Sequence, residues 1–309
     1  MAEISFRCGW ISVAFKRTIA RSLNIGLSMT ILTSTIAADY ERDGFVFPLD
    51  IIGEDETRAI RADLEAAEAE CADQSEKLAI VRSYPARLLP SFDALIRHPR
   101  LIDAAARILG PDLMVWGSGL FIKEANTPNY VSWHQDLNYW GLDDIDKVTA
   151  WVALSPATVD SGCMRFIPGS QKQNLAAHVD TFAENNLLSR GQELAVDVDE
   201  SKAVDIVLRP GQTSLHHGHL FHASGPNRTD DRRIGVAIRY IKPSMQQESG
   251  DRSLTAHVSG EDNFNHFTVA PPPTDRLRES DLALCRQDME IKRRVLYAGA
   301  ESDKGQRYR

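Results

Sequence analysis

From Leu113 onward the chain breaks into short apolar stretches divided by turn signals, and this rhythm constrains its fold more than any other feature. LMVWGSGLFIKEA, VTAWVALSPAT, MRFIPGS, VDIVLRPGQTSLHHG and RIGVAIRYIKP carry many β-branched and aromatic residues. Such residues suit a pleated surface packed on at least one face. Between them stand Asp160-Ser161-Gly162, Pro168-Gly169, Pro210-Gly211 and Gly225-Pro226-Asn227, residue types that supply the φ values tight reversals need. Short strands in this pattern predict a mainly β protein, a double-stranded β-helix of the jelly-roll, cupin-like kind. Helices should flank it. Tyr40 to Leu49 reads as a short helix running into a strand, and Glu54 to Gln74 and Pro90 to Leu109 as helices. Gly110-Pro111 stops the last of these, and Asp275 to Tyr297 reads as a closing helix.

The chain has 309 residues, 43% of them hydrophobic, enough for one large core. No repeat or low-complexity linker divides it, so residues 39–300 read as a single domain, with 301–309 as a flexible tail. Residues 1–38 differ in texture. Glu3 is the only acid before Asp39, and Arg7, Lys16, Arg17 and Arg21 are scattered among serines and apolar residues. This extension fits either an amphipathic transit peptide or translation that begins at Met29, and the second is preferred. No stretch approaches the roughly 18 apolar residues of a membrane span. The formal net charge of −8, from 43 acidic and 35 basic residues, argues against nucleic acid or an anionic membrane as partner. Cys8, Cys71, Cys163 and Cys285 show no metal-ligand spacing, and they read as free thiols of a cytoplasmic protein.

Chemistry concentrates in three places. In SWHQDLNYW, His134 and Asp136 stand two apart. On a strand, residues i and i+2 share a face, so an imidazole and a carboxylate can reach one metal ion. In HHGHLFHASGPN lie His216, His217, His219 and His222, any of which could complete a site of two histidines and one carboxylate. That donor set is the facial triad of non-haem iron(II) oxygenases. Arg232-Arg233 follows the next turn, where a guanidinium could fork onto a carboxylate beside the metal.

The blocks WHQDLNYW, AWVALSPATVDSGCMRFIPGSQK and HHGHLFHASGPNRTDDRRIGVAIRY together resemble the phytanoyl-CoA dioxygenase family of Fe(II)- and 2-oxoglutarate-dependent oxygenases, over about Tyr40 to Pro243. The resemblance implies that H-A-S-G-P-N marks His222 as the distal ligand beside His134 and Asp136. It also implies that Arg233, eleven residues on, binds 2-oxoglutarate, with Trp151 bordering that co-substrate. Gln171 replaces a histidine of the family's P-G-S/T-H phrase, outside the ligand set. Related halogenases carry a small residue where Asp136 stands, so oxygen transfer is implied here, not halide transfer. The implied reaction consumes O2 and 2-oxoglutarate, releases succinate and CO2, and hydroxylates a C–H bond of a small-molecule substrate. Desaturation or ring closure shares the same cofactor chemistry, and a non-catalytic jelly-roll binder shares the fold.

Around this set, Tyr139, Trp140, Arg82 and Arg87 are candidate substrate contacts, though the aromatics could equally be core. His217 and His219 either line the cavity or lie on the surface. Lys123 and Glu124 read as a solvated strand end.

Overall fold

The computed structural model describes residues 36–137, 140–173 and 175–297. Most of the N-terminal extension, Tyr139 and the 301–309 tail lie outside the described residues. Residues 36–43 are helical (α1), and Ile36 packs into the core. Helices α2 (Glu54–Glu70), α3 (Ser75–Ser83), α4 (Pro85–Leu88), α5 (Pro90–Ile96) and α6 (Pro99–Leu109) precede most of the strands, and α7 (Glu279–Leu296) closes the fold. The strands are β1 (Phe45–Asp50), β2 (Leu113–Lys123), β3 (Val131–His134), β4 (Lys147–Ala153), β5 (Met164–Phe166), β6 (His178–Asp180) and β7 (Gln192–Leu194). They continue with β8 (Val204–Ile206), β9 (Gln212–His217), β10 (His222–Ser224), β11 (Arg233–Ile241), β12 (Leu254–Ser259) and β13 (Thr268–Val269).

The large sheet runs β1-β9-β4-β11-β2-β12-β13 and the small one β3-β10-β5-β8, with β6 and β7 as a separate ribbon. Together they form the expected jelly roll. Alternation along β11 explains how its central sheet serves two interiors. Ile234, Val236, Ile238 and Tyr240 point to the helices and join the main core, with Val148, Ala150 and Val152 of β4. Arg233, Gly235, Ala237 and Arg239 alternate with them and so share the opposite face, where Ala237 packs with Trp151. Each fully buried aliphatic side chain on the helix side contributes roughly 1.5–3 kcal/mol.

Helix α2 seats Ile60, Leu64 and Ala67 on the core at helical spacing, while Glu54, Asp55 and Glu56 oppose its positive N-terminal dipole. The helix expected over Pro90 to Leu109 is two helices. Pro99 cannot continue α5, and it starts α6 with His98 as N-cap, whose Nδ1 accepts from the Arg100 N–H at 3.3 Å. Cys71, Cys163 and Cys285 are free and buried. No helix among the described residues is long and apolar enough to cross a membrane.

Candidate active site

His134 ends β3, and His222 begins β10 directly opposite it in register. Their rings lie 4.0 Å apart. Each ring is oriented through its Nδ1, to the Ser132 carbonyl for His134 and to the Leu220 carbonyl for His222, both at 2.9 Å. A proton on Nδ1 leaves each Nε2 lone pair for a metal. Those Nε2 atoms stand 3.6 and 3.8 Å from Asp136 Oδ1. One ligand atom from each of the three lies within 4.8 Å of the others. The donor set fits a facial triad and suits iron(II).

Asp136 does not reach the site as a strand residue, because β3 stops at His134. Buried Gln135 ends the strand instead: its amide donates to the His219 carbonyl and accepts from the Ala176 N–H. The next residue bends back toward the histidines. Thr149 Oγ donates to Asp136 Oδ2 at 3.3 Å, and Lys147 Nζ lies 3.8 Å from the same oxygen. Burial alone would raise the Asp136 carboxyl, but Lys147 beside it holds it well below the usual carboxylate range. Burial, then His134, pushes the His222 imidazolium down, which keeps the ring neutral. His216 also approaches Asp136 Oδ2, at 3.9 Å, but its Nδ1 has no partner to orient the ring. The His217 and His219 rings meet edge to face at 5.4 Å, and neither lines the spaces beside the triad.

From the triad a narrow slot, lined by Thr149, Trp151, Met164 and Ser224, runs to Arg233. The Trp151 ring covers Gly235, where a Cβ would fall 1.8 Å from a ring carbon, and Arg233 Cζ sits 5.1 Å from the ring centroid. Arg232 faces away and binds Glu68 and Glu124. A cavity of about 430 Å³, bounded by β2, α7 and residues 187–192, also opens at His134 and Asp136. Its wall includes Arg82, Trp140, Arg239, Lys292, Arg293 and Glu290, and Asp288 pairs with Lys292 at 2.8 Å. Trp140 stacks on Trp116 at 5.0 Å with Lys147 on its other face at 3.0 Å, so it is at once packed and cavity-lining. Arg82 lines the cavity while held by Glu68 at 2.6 Å. Arg87 is not among the lining residues of this cavity. It ties α4 to α7 through Asp281 at 2.8 Å.

Lys123 corrects its sequence reading. It is not a solvated strand end but fully buried, because register places it opposite Arg233 and under the turn after β10. Lys147, Thr149 and Arg239 also escaped notice, and all of them alternate on the inner face of β4 or β11. That alternation was available in the sequence, but the face toward the metal was not.

A jelly roll with two histidines and a carboxylate at its mouth defines the class of non-haem iron oxygenases. The chain belongs to the phytanoyl-CoA dioxygenase (PhyH) family, whose model matches residues 40–235. It is thus a 2-oxoglutarate-dependent oxygenase that takes iron. Ectoine dioxygenase of Streptomyces avermitilis is 27% identical over 229 residues, which are 67% of this chain and 78% of that protein. The solved non-heme monooxygenase ThoJ is 32% identical with a TM-score of 0.77, over 85% of this chain and 98% of ThoJ. CytC3, solved with Fe(II) and alpha-ketoglutarate, shares the fold at 21% identity and a TM-score of 0.58, over 76% and 91% of the two chains.

Proposed function

We propose that this chain hydroxylates an unactivated C–H bond of a small, polar metabolite, with His134, Asp136 and His222 as iron ligands and Arg233 holding the far carboxylate of 2-oxoglutarate. The observation that carries the reading is the placement of two spaces that meet at one triad. A slot ends on a buried guanidinium, and a separate cavity has the size of small-molecule sites, roughly 300–1,000 Å³. Bound iron(II), with O2 and 2-oxoglutarate, supplies the oxidant for C–H cleavage and leaves succinate and CO2. The protein's own residues orient and exclude water. The two carbonyl-bound imidazoles fix the ligand nitrogens, Trp151 walls the slot, and Arg233 keeps an unpartnered, buried Nε–H for a carboxylate.

A substrate screen that follows succinate release, with the product weighed after reaction under 18O2, tests this. One labelled oxygen added to the substrate is the expected result. A product two mass units lighter would replace hydroxylation by desaturation or ring closure. His134→Ala should abolish metal binding, and a variant that still binds iron(II) as the wild type does would sink the ligand assignment.

A further inference from the structure

Lys123 and Arg233 are direct Cα partners across β2 and β11, and their side chains are 0% and 1% exposed. Like charges directly opposite on a sheet repel, and a buried charge without a counter-charge is costly. Among the described residues no carboxylate influences either cation. Lys123 faces Arg233 from β11 and Cys163 from the segment before β5, and Arg233 faces Cys163. Glu124, the neighbouring acid, is taken by Arg232. Lys123 Nζ instead meets Ser224 Oγ at 2.7 Å, the Gly162 carbonyl at 3.3 Å and the Gly225 carbonyl. Arg233 Nη1 donates to the same Gly162 carbonyl at 3.0 Å. One carbonyl thus bridges two cations, and Ser224 sits in the slot between them and the metal site.

We propose that Lys123 is a positioning residue for the co-substrate's far carboxylate: it sets Ser224 and the Gly162 carbonyl around Arg233 and makes the slot select a 2-oxo acid that carries a second carboxylate. The inference rests on the placement of Arg233 given above. Its chemistry is a proton exchange. Uncharged, Nζ has two N–H donors for the two glycine carbonyls and a lone pair that accepts the Ser224 O–H. As an ammonium it donates to all three oxygens, and the Ser224 O–H is released toward the slot. Burial, and then Arg233, pushes the Lys123 pKa down to about 6. A carboxylate arriving on Arg233 opposes that repulsion and raises it again. One proton then passes from buffer to Nζ as the dianion binds.

Calorimetry on the metal-loaded protein, with manganese(II) standing in for iron(II), reads this directly in buffers of different ionisation enthalpy. With a starting pKa of about 6, uptake per 2-oxoglutarate should approach one proton at pH 8 and fall to about a quarter at pH 5.5. Binding without proton uptake at pH 8 overturns the proposal, and this arm needs no variant. Lys123→Met should abolish the uptake. It should also narrow the preference for 2-oxoglutarate over 2-oxovalerate, which lacks the second carboxylate, by about tenfold. Wild-type affinity and selectivity in that variant overturn it as well. Arg233→Gln separates the two readings. If it leaves 2-oxoglutarate binding unchanged, the placement of Arg233 falls and the inference with it. If it abolishes binding while the wild type takes up no proton, the role of Lys123 alone falls.

Discussion

An imidazole ligates a metal through one nitrogen only if its other nitrogen keeps the proton, and here two backbone carbonyls enforce that for His134 and His222. Asp136 has a different support, a threonine hydroxyl and a lysine, and it brings the negative charge that holds a divalent ion. Asp136→Gly should therefore weaken iron(II) binding by more than the 10- to 100-fold typical of losing an outer hydrogen-bond partner. Thr149→Val should fall within about that range. Metal titration of both variants checks the order, and a Thr149 variant weaker than the Asp136 variant would contradict it. The triad was legible because H-x-D and H-A-S-G-P-N are short phrases whose spacing survives translation into space. Lys123 was not. Its burial depends on which residue of β11 lies opposite it, and register between strands over a hundred positions apart is not written in either strand.

At the scale of the element, β11 organises the interior. Arg233 and Arg239 lie on its inner face, and both border the slot at the metal. Between them, Gly235 has no side chain because the Trp151 ring of β4 occupies that space. Its backbone is not in the positive-φ region, so the constraint is steric and not conformational. Gly235→Ala should push the indole into the slot and overpack the sheet, at a cost of about 1–3 kcal/mol in stability. Affinity for 2-oxoglutarate should drop while metal affinity holds, since the ring touches the slot and not the ligand nitrogens. Equal losses of both would show a general collapse of the site. Most strands of this layer were legible from their composition, and so was the closing helix. The break between α5 and α6 at Pro99 was passed over because apolar spacing continues on both sides of it. Asp136 was expected on a strand because i, i+2 spacing looks the same whether the second residue is extended or, as here, bent back.

The whole molecule encloses neutral histidines in a dry space, and that has a consequence for its stability in acid. His216 is fully buried, and burial pushes its pKa from 6.5 down to about 3. Burial likewise brings His178 and His217 down to about 4. Between those values the unfolded chain binds protons that the folded chain refuses. The stability held by keeping these rings neutral is thus fully present above pH 6.5 and is lost as the pH falls. A single such ring costs about 1.4 kcal/mol per pH unit, so His216 alone should remove about 2 kcal/mol by pH 5. Urea unfolding of the metal-free protein at pH 7.5 and pH 5 measures the change. His216→Gln should flatten the dependence by one proton. Metal loading should not flatten it, since a bound ion competes with protons only in the folded chain and leaves His216 in the same dry pocket. If stability is level across this range, the ring is hydrated in solution, and the interior beside the triad is wetter than its packing implies.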